Sequence, residues 1–269
     1  MNEQHLAVAV DAAKAGAAEL MSRRDSRKVQ EKAPKDLVTD ADLASQQAIR
    51  TRLLDAFGDY LFVGEEAGEN DPPSAVLRGD SGAPPCWVVD PLDGTVNYVH
   101  RLQSFAVSIG LYANGKMRLG VIYDPVSDEL FTAIDGGGAF CNGQPISVSD
   151  CHQIGDALIA CSFRAGVKSD DPDVARFVRV LEQCRSLRRL GSCALNMCYV
   201  AAGRLDAYWA TGVQAWDTAA GTVIAREAGA ELTALDGSKY EDWRPRFCVS
   251  GSPAIQQSMV SLLNDTAVA

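Results

Sequence analysis

Histidine is scarce in this chain: only His5, His100 and His152 occur among 269 residues. That leaves little support for a Ser-His-Asp triad, a histidine-based phosphatase or a zinc hydrolase. Positive charge is also in deficit, with 25 Lys and Arg against 35 Asp and Glu and a net charge of -10. Such a balance argues against general binding to nucleic acid or to anionic membranes. It leaves an anionic small substrate open, because a bound metal can reverse the local sign. The eight cysteines contain no C-x-x-C pair and no zinc-type spacing with histidine. The opening residues lack a basic n-region, and the apolar segment after them is interrupted by Asp11 and Lys14. Neither a signal peptide nor a membrane span is expected, so reduced thiols and a cytoplasmic location are. Cys161 and Cys248 lie in apolar, strand-like runs and read as core.

What is present is a globular composition, 47% hydrophobic, long enough for one large domain or two lobes. Residues 4–22 carry apolar side chains at helical spacing, and so do Asp42 to Phe57, where Ala44, Ala48, Leu53 and Leu54 are expected to face inward. Residues 67–85 are rich in Gly, Pro, Asp and Ser and read as a surface loop. From Phe105 the period becomes that of strands, with Asn114-Gly115 as a tight hairpin turn. Leu130–Ile134, the Gly136–Gly138 cluster and Ile146–Val148 continue an antiparallel meander. The second half alternates strands with helices: 157–163, 187–190, 206–210, 231–234 and 247–251 against 171–184, 194–203, 218–229 and 253–263. This is a mixed α/β (α+β) class built of layers of helix and sheet. The expected lobes are 1–150, with the antiparallel sheet, and 151–269, the alternating α/β part.

The chemistry concentrates in Trp87-Val88-Val89-Asp90-Pro91-Leu92-Asp93-Gly94-Thr95. Val88-Val89 reads as the end of a buried strand, which Pro91 is expected to halt. Gly94 permits an unusual backbone, and Thr95 begins a helix whose first N–H groups are free for an anion. Three further segments place carboxylates at element ends: Asp36 to Asp42, Gly64-Glu65-Glu66 and Trp216-Asp217-Thr218. Each alone has a plain structural reading; Asp42 and Asp217, for example, suit helix N-caps. Together they supply the oxygen-only ligand set that Mg²⁺ prefers, without a histidine or cysteine ligand.

In order and spacing, Gly64-Glu65-Glu66, Asp90-Pro91-Leu92-Asp93-Gly94-Thr95 and Trp216-Asp217-Thr218-Ala219-Ala220-Gly221 resemble the signatures of the inositol monophosphatase family of Mg²⁺-dependent, lithium-sensitive phosphatases. The similarity runs from about residue 8 to 262. The resemblance implies a layered α-β-α-β-α sandwich of the sugar phosphatase type, a homodimer, and two or three Mg²⁺ ions. It implies Glu65, Asp90 and the Leu92 carbonyl as ligands of one ion, and Asp90, Asp93 and Asp217 as ligands of another. Glu65, Thr95 and Asp42 would be catalytic, orienting a metal-activated water, with Asp42 accepting from the Thr95 hydroxyl. The N–H groups of Gly94 and Thr95 would hold phosphate. Asp93, Gly191, Cys193, Ala210 and Asp217 would contact substrate.

On the same basis the substrate is a small phosphorylated polyol or sugar, foremost inositol-1-phosphate. Val96-Asn97-Tyr98 after Gly94-Thr95 resembles the inositol-type branch, where nucleotidase and histidinol-phosphate branches usually carry Lys. One departure is Ala210, seven residues before Asp217, where inositol-type members usually have a Glu that binds ring hydroxyls. Arg101 follows His100 where the family often has Gly, and it reads either as a solvated charge or as a contact for a second phosphate. Arg164 and Lys168 carry the same two readings. Fructose-1,6-bisphosphate, histidinol phosphate and adenosine 3′,5′-bisphosphate are the alternative substrates. A regulatory binding partner is the non-enzyme alternative.

Overall fold

The hairpin at Asn114-Gly115 organises the first sheet. Both residues have positive φ, 52° and 82°, as a two-residue turn matched to strand twist requires. It joins β5 (Ala106–Ala113) to β6 (Lys116–Asp124). The computed structural model describes residues 1–33, 36–66, 83–242 and 246–264; most of the expected 67–85 loop lies outside them.

Around that hairpin the sheet grows to seven strands in the order β3 (Leu61–Gly64), β4 (Cys86–Asp93), β5, β6, β7 (Glu129–Ile134), β8 (Ala139–Cys141) and β9 (Gln144–Pro145). All pairs are antiparallel except β3 with β4. Ile146–Val148, expected to end the meander as a strand, lies past its last strand; Pro145 offers no N–H for further pairing. A short antiparallel ribbon, β1 (Val29–Ala33) with β2 (Asp36–Thr39), precedes this sheet. The second sheet has the order β11 (Ser186–Arg188), β10 (Leu158–Ser162), β12 (Ala207–Thr211), β14 (Arg246–Ser250) and β13 (Glu231–Thr233). β10, β11 and β12 run parallel, and β14 is antiparallel to its neighbours.

Seven helices among the described residues fill three layers around the two sheets. They are α1 (Glu3–Arg23), α2 (Asp40–Ala56), α3 (Thr95–Val99), α4 (Pro172–Gln183), α5 (Cys193–Ala201), α6 (Ala215–Glu227) and α7 (Pro253–Asn264). Alternation along the strands sorts their side chains by face. On β4, Trp87 and Val89 join Ala13, Leu20 and Ile49 in the core under α1 and α2. Cys86 and Val88 point the other way, into a core with Ala194, Ala219 and Val223 of α5 and α6. The same two helices pack their far sides on the second sheet, and α7 covers its outer face. The order helix, sheet, helix, sheet, helix is the expected five-layer sandwich.

On α2 the fully buried stripe is Ala41, Ser45, Ile49 and Leu53, one residue round from the inward face expected at Ala44 and Ala48, which are half-buried. The helix starts at Asp40, with Thr39 rather than Asp42 as the N-cap. α6 lies unusually close to the first sheet. A Cβ at Gly120 would meet the Ala220 carbonyl oxygen at 2.3 Å, and one at Gly110 would meet Ala219 Cβ at 2.7 Å. Only glycine permits this approach, and it fixes the start of α6, where Asp217 sits, against the end of β4.

Candidate metal centre

Pro91 does not halt β4. The strand runs on to Asp93, with its register against β5 broken between Asp90 and Asp93. Pro91 lacks an N–H and sits within this irregularity, where a sheet tolerates it. The bulge turns two carboxylates on one strand toward a common point. Asp90 Oδ1 accepts from the Leu92 N–H at 2.9 Å, which closes the bulge on itself. Ser45 of α2 donates to the Pro91 carbonyl at 3.0 Å, anchoring it from the other side. Gly94, φ 96°, then reverses the chain into α3.

Asp90, Asp93 and Asp217 each offer a carboxylate oxygen within 4.8 Å of the others. Asp90 and Asp93 are buried, and Asp217 is half-buried. Glu65 follows the end of β3, where its N–H donates to the Val89 carbonyl at 3.1 Å. That turn is pinned by Gln46 of α2, whose Oε1 accepts from the Glu66 N–H at 3.0 Å. Asp42 and Asp217 are not N-caps. Each stands in the first turn of its helix and accepts from an N–H three residues back, Thr39 at 2.9 Å and Gln214 at 2.6 Å. Thr39-Asp40-Ala41-Asp42 is a capping box with Asp in the acidic place. The box leaves Asp42 Oδ1 to meet the Thr95 hydroxyl at 3.3 Å. The same hydroxyl lies 3.1 Å from the Leu92 carbonyl. The expected Thr95–Asp42 pair is therefore present.

Asp93 is held from the second half of the chain. Ser192 Oγ and the Ala194 N–H donate to its Oδ2, the latter at 2.8 Å, and the Cys193 N–H donates to its Oδ1 at 3.1 Å. The start of α5 thus points its N–H groups at a buried carboxylate, the favourable sense of the helix dipole. Gly191, exposed with φ 87°, leads into this turn. Asn97 of α3 stitches it down by donating to the carbonyls of Leu190 and Ser104, both at 2.7 Å. Neither Ser192 nor Asn97 stood out as a site residue in the sequence. Ser192 had a signal, lying one residue ahead of a helix and beside Gly191. Asn97 had only its nearness to Thr95.

The electrostatics are those of an anionic pocket. Burial, and then the charges of Glu65, Asp93 and Asp217, push the Asp90 carboxyl well above the usual range. Burial and Asp217 raise Asp93 to about 7 despite its three donors, and burial raises Asp217 to about 6. Among the described residues, no cation figures in the groups acting on these three. Like-charged oxygens gathered without a cation fit a divalent ion, and their spread compares with the roughly 4.2 Å across an octahedral Mg²⁺ shell. The Cys193 thiol is buried, and burial with the nearby Asp217 and Asp93 pushes its pKa well up, so it is no thiolate nucleophile.

A model of the inositol monophosphatase family matches residues 1–266. The chain belongs to that family and is a phosphatase of its type. Inositol monophosphatase 3 of Solanum lycopersicum is 40% identical over 98% of this chain and 97% of its own length. Nus factor SuhB of Pasteurella multocida is 37% identical over 80% of this chain and 78% of its own. The solved inositol monophosphatase of Anabaena superposes with a TM-score of 0.84 at 32% identity, covering 97% of this chain and 95% of that one. No helix among the described residues is long and apolar enough to cross a membrane.

The remaining expected residues divide. Cys193 is buried, and its backbone N–H donates to Asp93. Ala210 is fully buried on β12, in an apolar core with Tyr208, Val213 and Phe247. Arg101 is exposed with φ 61° and lies 3.6 Å from Asp25; the left-handed backbone accounts for a position where glycine is at ease. Arg164 pairs with Asp171 at 2.5 Å.

Proposed function

We propose that this inositol monophosphatase family member hydrolyses inositol-1-phosphate, or a related polyol or sugar phosphate, in a Mg²⁺-dependent reaction. The observation that carries the reading is the convergence of Asp90, Asp93 and Asp217, buried or half-buried and, among the described residues, with no basic side chain acting on them. Glu65, Asp90 and the Leu92 carbonyl would hold one ion, and Asp90, Asp93 and Asp217 a second, with a weaker third near Glu65. When bound, the ions supply an activated water and neutralise charge on the phosphoryl group and leaving oxygen.

The protein's own groups do the rest. Thr95 and Glu65 orient the attacking water. The carboxylate of Asp42 accepts the Thr95 hydroxyl proton, so that the lone pairs of Thr95 Oγ1 face the water. Gly94 and Thr95 offer N–H groups to phosphate oxygens at the head of α3. Asp93, Gly191, Asp217 and the Cys193 backbone line the substrate side. Ala210 brings no acceptor for ring hydroxyls, which leaves room in the reading for fructose-1,6-bisphosphate, histidinol phosphate or adenosine 3′,5′-bisphosphate. By family we further expect a homodimer, lithium inhibition and a cytoplasmic location.

The test is phosphate release from those four esters, with Mg²⁺ and with chelator. Mg²⁺-dependent release led by inositol-1-phosphate supports the reading. Preference for another ester retains the chemistry and makes Ala210 the specificity switch. Silence across the panel in a folded, Mg²⁺-supplied protein favours the second reading, a regulatory binding partner, which the resemblance to a Nus factor brings in.

A further inference from the structure

Ser108 of β5 is fully buried, and its hydroxyl has no hydrogen-bond partner. A buried hydroxyl without a partner is destabilising, so a strand would keep one for a reason. Its neighbours supply one. In the β4–β5 register Ser108 stands directly opposite Asp90, the last regular pair before the bulge. Opposed residues of an antiparallel pair share a face, and their Cβ atoms lie about 4.5–5.5 Å apart. The face is fixed by what flanks it. Ala106 lies in the core under α5 and α6, whereas Val107 and Ile109 lie in the core under α1 and α2. Ser108 therefore points with Asp90 toward α6, where Asp217 resides. The other direct neighbours on that face are Ala106, Gly110 and Ile122, its partner on β6, and none has a polar side chain. The diagonal Asp124 turns its Oδ1 to the N–H groups of Val126 and Ser127.

We infer that Ser108 is a positioning residue for the metal centre: once Asp90 turns to ligate an ion, the otherwise unpartnered Ser108 hydroxyl would donate to its carboxylate and hold it in that orientation. Asp90 is the carboxylate assigned to both ions, so its orientation governs affinity more than that of any other ligand. One of its oxygens already takes the Leu92 N–H. A second donor from beneath fixes the plane of the carboxylate, as supporting groups around metal ligands generally do. Ser108 touches neither substrate nor metal. The inference rests on the metal-centre reading above.

The experiment is calorimetric titration of metal-free protein with Mg²⁺, for the wild type, Ser108→Ala and Ser108→Cys, beside the melting temperature with and without Mg²⁺. The expected result is a loss of Mg²⁺ affinity of roughly tenfold in Ser108→Ala. Ser108→Cys, a weaker donor of similar shape, should fall between. The melting temperature of the metal-free alanine variant should not fall below that of the wild type, because the hydroxyl removed has no partner there, and only its Mg²⁺-induced rise should shrink. Wild-type Mg²⁺ affinity in Ser108→Ala would overturn the inference, as would an equal drop in melting temperature with and without Mg²⁺. Absence of Mg²⁺ binding by the wild type would instead overturn the metal-centre reading itself.

Discussion

The N–H of Ala194 lies 2.8 Å from Asp93 Oδ2, across 101 residues of sequence. This bond joins the bulged end of β4 to the head of α5, so the site is completed only when the first sheet and the middle helices have packed together. Asp217 arrives the same way, carried on α6 by its close approach to Gly110 and Gly120. Several consequences can be measured.

Asp217→Asn removes one carboxylate from the cluster and leaves its shape. Turnover should fall by roughly a hundredfold or more, since even groups one step removed from a metal cost 10–100-fold. The metal-free variant should melt higher than the wild type at alkaline pH, because a like charge has gone. Phosphate release and circular dichroism check both points. Near-wild-type turnover in the folded variant would remove Asp217 from the role given it.

Metal-free protein should lose stability as pH rises. Asp93 and Asp217 have folded pKa values of about 7 and about 6 against an ordinary 3.8. The folded state therefore binds more protons than the unfolded chain between these values. The stabilisation is complete below about pH 4 and is lost as pH rises through about 6 to 7. The melting temperature should fall over that interval in chelator, and the rise caused by Mg²⁺ should be greater at pH 8 than at pH 5, about one unit beyond either end of it. Thermal scans at the two pH values decide it.

Thr95→Val keeps the shape at the head of α3 and deletes the hydroxyl shared by Asp42 and the Leu92 carbonyl. The rate constant should drop by about 10²–10⁴ if Thr95 handles the attacking water, with Thr95→Ser retaining most activity. Asp42→Asn should follow Thr95→Val in rate, and the double variant should be no worse than either single one. Additive losses would separate the two residues. Steady-state kinetics at saturating Mg²⁺ give the answer.

Gly120→Ala would drive a methyl group toward the Ala220 carbonyl, where the Cβ position lies at 2.3 Å. Overpacking of this kind costs about 1–3 kcal/mol. Because α6 must move to relieve it, Mg²⁺ affinity should fall with stability. Denaturant unfolding and Mg²⁺ titration together test the coupling.

Much of this was legible in the sequence because the signals were local. Asn114-Gly115 announced its hairpin, and the alternation after residue 157 announced the second sheet. The pair formed by Thr95 and Asp42 followed from the family resemblance. What escaped was set by tertiary context. Pro91 reads as a stop, yet the second strand β5 and Ser45 hold the chain extended through a bulge. Asp42 reads as a cap by its residue type, whereas Thr39 takes that place and an Asp42 oxygen meets the Thr95 hydroxyl. Ser108 and Ser192 are ordinary serines until the register sets one beneath Asp90 and the packing of α5 sets the other on Asp93.

The central claim is that Asp90 and its neighbours bind the Mg²⁺ that makes this protein a phosphatase. Phosphate release from inositol-1-phosphate, titrated with Mg²⁺ for the wild type and Asp90→Asn, tests it most directly. The account predicts saturable dependence on Mg²⁺ in the wild type, no release in chelator, and loss of turnover in Asp90→Asn at every Mg²⁺ concentration. Full hydrolysis in chelator, or an Asp90→Asn titration that overlays the wild type, would contradict it.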